Sequence, residues 1–130
     1  MELVKGLERN LRQALQALAL PPAAQVRVLS PGCVTCDLYE DYQVAHRYYL
    51  AADDIHPTPE QVESLMALAE ILEEVPEEAW ICFENACLHH PGWERVREAA
   101  QRALEAFAWP LAAPPEFEED ERGVWRRSGE

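Results

Sequence analysis

Asp37-Leu-Tyr-Glu-Asp-Tyr-Gln-Val-Ala-His-Arg-Tyr-Tyr-Leu-Ala-Ala52 decides the fold class, because it scans in two ways. At a period of 3.6, Leu38, Tyr42, Ala45 and Tyr49 share one face. At a period of 2, Tyr42, Val44, His46, Tyr48 and Leu50 alternate equally well, and tyrosine favours strands. The helical reading is preferred, since Asp37 with Glu40 three residues later fits an N-cap and its box partner. A helix here makes the chain mainly α, a single-domain bundle of four to five helices. A strand here makes it α+β, with a small sheet formed from residues 25–50 and covered by the remaining helices.

Upstream, Ala24-Gln-Val-Arg-Val-Leu29 is short, β-branched and alternating, and breaks at Ser30-Pro-Gly32. It reads as a lone strand or an extended connector, and a lone strand would need a partner for its backbone groups. Residues 2–19 form an amphipathic helix with Val4, Leu7, Leu11, Ala14 and Leu18 on one stripe, stopped by Pro21-Pro22.

Downstream, residues 53–57 are a turn. Thr58-Pro-Glu-Gln61 then opens a helix over 58–75, with Thr58 as cap, Pro59 in the first turn and Gln61 completing the box. Pro76-Glu-Glu78 opens another over 77–90, which carries Trp80-Ile-Cys-Phe-Glu-Asn-Ala-Cys-Leu-His-His90. On that helix Cys82, Phe83, Ala86, Cys87 and His90 lie along one broad face, and Cys82 and Cys87 stand about 140° apart, too far around to bond. A fifth helix over 92–109 has Trp93, Val96, Ala100, Ala103 and Phe107 on its apolar side. The chain thus divides into a helical domain, 1–109, and an acidic Pro/Glu-rich tail, 110–130. The tail has the composition of a disordered segment, with Phe117 and Trp125 as its potential anchors.

Nine acids against five bases leave −4 over residues 1–65, and fifteen against six leave −9 over 66–130. A field of that sign repels phosphate backbones and argues against direct nucleic-acid binding. No apolar run is long enough to span a membrane. The N-terminus carries charges where a signal peptide has its apolar core, so a cytoplasmic protein is expected.

Four cysteines, Cys33, Cys36, Cys82 and Cys87, stand out in a chain of this expected compartment, where structural disulfides are rare. Cys33-Val-Thr-Cys36 has the two-ligand spacing of a zinc knuckle, and Cys82 and Cys87 could complete four thiolates, with His89 or His90 as a substitute. The competing readings are buried reduced thiols and a redox pair. Val26-Arg-Val-Leu-Ser-Pro-Gly-Cys-Val-Thr-Cys36 resembles the strand-then-CxxC entry of thioredoxin-like proteins. That resemblance implies a strand before the motif, a helix after it, and a Cys33 thiol that attacks disulfides. It covers residues 26–36 alone. Gly32 stands where an aromatic often precedes the motif, and no β-rich stretch follows to supply the rest of that fold.

No HxxxH or HExxH pair exists, the five glycines form no phosphate loop, and none of three serines sits in a nucleophile elbow. The expectation is therefore a non-enzymatic protein, a small acidic adaptor or inhibitor without a cofactor. Glu116, Glu118, Glu119, Asp120, Glu121 and Trp125 would engage a basic protein partner. The alternative is a cysteine-based structural zinc or thiol redox module. The aromatic content would serve a homodimer interface equally well.

Overall fold

The computed structural model describes residues 2–29 and 31–127, and in it residues 37–51 are helical. Five helices form the body: α1 (Glu2–Ala19), α2 (Pro22–Leu29), α3 (Val34–Ala51), α4 (Pro59–Glu73) and α5 (Pro91–Phe107). A small antiparallel hairpin, β1 (Phe117–Glu119) with β2 (Trp125–Arg127), follows them. The chain is mainly α. In α3 the 3.6 period wins: Leu38, Tyr42, Ala45 and Tyr49 are buried, whereas Val44 and Tyr48 of the alternating pattern are exposed. The helix starts a turn earlier than Asp37 because Val34 and Thr35 are themselves buried and belong to its inner face. Cys33 is its N-cap.

The expected strand or connector at 24–29 is instead α2, so the sheet from residues 25–50 does not form. The lack of a strand partner decides this, since a helix satisfies its own backbone. Pro22 begins α2 rather than ending α1, at a position where its missing N–H costs nothing. Gln25, Val28 and Leu29 then face inward, and Gln25 Nε2 donates to the carbonyls of Ala17 (3.1 Å) and Leu18 (3.1 Å) in the last turn of α1.

α1 lies against both α3 and α5, and α4 packs along α5. Leu11, Leu15, Leu18, Leu38, Leu65, Leu68, Leu72 and Leu104 are fully buried. Each contributes roughly 1.5–3 kcal/mol relative to an exposed side chain. The Tyr42 hydroxyl donates to the Leu65 carbonyl at 2.7 Å and ties α3 to α4. At the start of α4 the Thr58–Gln61 capping box forms in both directions. α5 is capped by the His90 side chain, which accepts from the Gly92 N–H at 2.9 Å.

The helix expected over 77–90 does not form. Two short 3₁₀ turns, Glu77–Ala79 and Asn85–His89, flank an irregular loop. Most side chains between Trp80 and His90 are weak helix formers. Ala79 and Leu88 are buried and Trp80 packs partly against the core, whereas Ile81 and Phe83 are exposed. The single apolar face drawn through Cys82, Phe83, Ala86, Cys87 and His90 therefore does not exist.

In the tail, Arg127 is buried, its guanidinium 4.4 Å from the centroid of the Phe117 ring and its Nη1 donating to the Pro115 carbonyl at 2.8 Å. The turn is closed by Asp120, which accepts from the N–H groups of Arg122 (2.8 Å) and Val124 (3.0 Å) and holds its carboxyl below the usual range through those bonds. Arg27 pairs with Glu116 at 3.2 Å, linking α2 to the tail.

Phe117 and Arg127 close a groove of about 410 Å³ against Leu7 of α1 and Asp41 and Val44 of α3. Crowding by the groove walls, and secondarily the Asp37 charge, push the Asp41 carboxyl up to about 6, although Asp41 is itself exposed and solvent screens part of that effect. A carboxyl raised above its unfolded value opposes folding once it ionises. Its unfavourable effect is absent at pH 3, sets in as pH rises through the window from 3.8 to about 6, and is full above it. Asp41→Asn should therefore raise the melting temperature more at pH 8 than at pH 3. Equal shifts at the two pH values would contradict that account.

Candidate metal centre

The end of α2 and the start of α3 bring the CxxC segment to the surface, and the irregular 80–90 loop carries a third cysteine to it. Cys33 at the N-cap and Cys36 one turn on face the same way, their sulfurs sharing a hydrogen bond 3.1 Å long. Cys82 Sγ lies 3.4 Å from Cys36 Sγ. All three sulfurs fall within 4.8 Å of one another. Cys33 and Cys36 are half-buried and Cys82 is exposed. Cys87 is elsewhere, donating its S–H to the Glu78 carbonyl at 3.5 Å. Sequence reasoning thus grouped four cysteines of which three meet. His90 is engaged in capping α5, and His46 is buried on α3 against Tyr42. Among the described residues no other histidine or carboxylate joins the three sulfurs.

The spacing is informative. A disulfide would need sulfurs about 2.05 Å apart. A tetrahedral zinc with Zn–S bonds near 2.3 Å separates its sulfurs by about 3.8 Å. The gaps of 3.1 and 3.4 Å lie between the two values and nearer the second, and all four cysteines are free thiols.

The loop is held in this position by its flanks. Trp80 Nε1 donates to the Val75 carbonyl at 2.7 Å, Trp93 Nε1 to Ala79 at 2.8 Å, and Arg97 Nη1 to Leu88 at 3.0 Å. Directly after Cys82, Phe83 takes a left-handed conformation at φ 60°, costly for a residue with a Cβ. The turn presents the Phe83 backbone to Cys33. Burial opposes ionisation of Cys33. Hydrogen bonding with the Cys36 thiol, with the backbone of Cys36 and Phe83, and with the Thr35 hydroxyl (3.7 Å) outweighs it and brings Cys33 down to about 7. Cys36 moves the other way, up to about 12, held first by its bond to Cys33 and then by Cys82. A cluster that ionises one sulfur easily and resists ionising the next is what crowded thiols give. A divalent metal removes that conflict.

Cys36 also lines a cleft of about 310 Å³ with Tyr39, Glu40, Leu72, Glu73 and Trp80. Tyr39 and Trp80 meet edge to face at 5.0 Å. The Tyr39 hydroxyl donates to Glu73, as does Gln43 Nε2 at 3.3 Å. Of these residues the sequence singles out Cys36 as a ligand, Glu40 as a capping partner and Trp80 in the cysteine-bearing stretch, but not their meeting in one cleft. The available signal was Tyr39 one turn after Cys36, on the same side of a helix that starts at Cys33.

The tail acids have mixed surroundings. Glu118, Glu119 and Glu121 are exposed, as is Trp125, while Glu116 pairs with Arg27 and Asp120 closes its own turn. The fold implied by the thioredoxin-like resemblance is not present, since α2 replaces the strand before CxxC, although Cys33 does sit at a helix start. No helix among the described residues is long and apolar enough to cross a membrane. Comparison with family models, with curated proteins and with solved structures finds no match to this chain.

Proposed function

We propose that the protein is a thiolate metal-binding module in which Cys33, Cys36 and Cys82 hold one zinc ion. The observation that carries this reading is the convergence of three sulfurs from two separate segments to within 4.8 Å. The metal's first task is structural. It fastens the irregular 80–90 loop, which has few buried side chains of its own, to the α3 N-terminus. Zinc suits the donor set because soft thiolates bind it without redox chemistry and it accepts tetrahedral geometry. Alkylation with iodoacetamide, mapped by mass spectrometry, tests the reading. With zinc present Cys87 should label while Cys33, Cys36 and Cys82 are protected, and chelation should expose all four. Cys82 is the decisive residue, being exposed and otherwise open to reagent. Equal labelling of Cys82 with and without zinc would sink the proposal.

A second reading, that the acidic tail engages a basic protein partner, draws support from exposed Glu118, Glu119, Glu121 and Trp125. Reversing Glu118, Glu119 and Glu121 to Lys, with Asp120 left intact to keep the turn, should weaken capture of a Lys/Arg-rich peptide at least about tenfold at low salt. Unaltered capture would leave the tail without that role. In this reading zinc keeps the body rigid while the hairpin docks.

A further inference from the structure

Three thiolates leave a tetrahedral metal one position short, and the 310 Å³ cleft on which Cys36 opens is furnished for a particular kind of visitor. We infer that the site takes a small aminothiol from outside the chain, its sulfur completing the metal's coordination and its ammonium held by Glu40, Glu73 and the aromatic walls of the cleft. The inference rests on the metal reading above and extends it from a structural staple to a ligand-binding centre.

The chemistry follows from charge. Zinc with three thiolates carries a net charge of −1, and a fourth thiolate would make it −2 beside Glu40 and Glu73 in an already acidic chain. An anionic thiol such as mercaptoacetate adds to that repulsion, and a neutral one leaves it uncompensated. A thiol with an ammonium two or three carbons away brings its own counter-charge to the carboxylates. Trp80 and Tyr39, packed edge to face, line the same cleft and supply aromatic surface beside a bound cation. Glu73 is fixed by the donors Tyr39 and Gln43, which still leave oxygen lone pairs for an ammonium. Cys87 does not compete for the fourth position, because its S–H is turned to Glu78. On binding, the thiol S–H bond breaks, its proton goes to solvent and its electron pair forms the sulfur–metal bond. No oxidation state changes.

The experiment uses the full chain loaded with Co²⁺, whose thiolate charge-transfer band reports the three cysteines and whose visible bands report the fourth ligand. Cysteamine, 2-mercaptoethanol and mercaptoacetate are titrated in parallel. Cysteamine should perturb the visible bands with an apparent Kd about tenfold below that of mercaptoacetate, the worth of one charge-assisted contact. In the Glu40→Gln, Glu73→Gln double variant, where the introduced amide oxygen still accepts from the Tyr39 hydroxyl, the preference for cysteamine over 2-mercaptoethanol should be lost. Equal affinities for the three thiols in the unmodified chain, or no spectral response to any of them, would overturn the aminothiol inference while the charge-transfer band upheld the metal site. A missing charge-transfer band would overturn both. The comparison within the unmodified chain decides the matter even if the double variant does not fold.

Discussion

Cys82→Ser is expected to abolish high-affinity zinc binding, lowering affinity by more than the roughly 10–100-fold typical of changes outside the ligand shell. Cys82 is the one sulfur that comes from the 80–90 loop, and its Sγ is 3.4 Å from Cys36 Sγ. A serine hydroxyl is a poor zinc donor at neutral pH, so two ligands would remain from a single helical turn. The stability consequence follows by mass action. Metal at a thousandfold over its Kd stabilises a fold by about 4 kcal/mol. For a chain of this size that is on the order of 10 °C in melting temperature. Zinc should therefore raise the melting temperature of the unmodified protein by that order and leave Cys82→Ser unmoved. Cys87→Ser, whose thiol lies outside the cluster, should respond to zinc as the unmodified protein does. A zinc-induced shift that survived in Cys82→Ser would assign the effect to other residues.

Trp93→Ala should cost about 3–5 kcal/mol, the range for emptying a buried aromatic site. Trp93 has no exposed surface, stacks edge to face on Trp80 at 5.0 Å, and donates to the Ala79 carbonyl at 2.8 Å. Alanine leaves a cavity and orphans a carbonyl on the segment that leads into Cys82. Set against a total stability of roughly 5–15 kcal/mol, this is a large fraction. Trp93→Phe loses the N–H with only part of the ring volume, leaving the Ala79 carbonyl unpaired at about 1–3 kcal/mol plus a smaller cavity cost, so it should cost less than Trp93→Ala. Urea denaturation measures both. The same variants should weaken zinc binding, because Trp93 and Trp80 set the path of the loop. A Trp93→Ala loss under about 1 kcal/mol would contradict the packing described here.

The helices were legible where apolar spacing and end signals agreed. The Thr58–Gln61 box marks the start of α4 from sequence and in the fold alike, while the buried stripe it carries, Leu65, Leu68 and Leu72, is set by packing. α3 was legible in period and misplaced at its start, because a polar Asp37 looked like a cap while buried Val34 and Thr35 drew the helix back to Cys33. α2 was missed for a local reason. Val26 and Val28 alternate as in a strand, but eight residues with no pairing partner can satisfy their backbone only as a helix. The 77–90 segment reads as helical from Pro76-Glu-Glu78 at its start and the broad face of Cys82, Phe83, Ala86, Cys87 and His90. Its weak helix formers, and the need to reach the α3 N-terminus, override that period. Cys33 and Cys36 were nameable from their CxxC spacing, whereas Cys82 entered only together with Cys87, as the remaining cysteines of the chain. That Cys87 stands apart depends on the loop's path, which no period encodes.

The most direct measurement is a native mass spectrum of the full chain, purified without added reductant and supplied with zinc. The account predicts one bound zinc that chelator removes, in the unmodified protein and in Cys87→Ser but not in Cys82→Ser. A metal-free mass with four intact thiols at saturating zinc would contradict it.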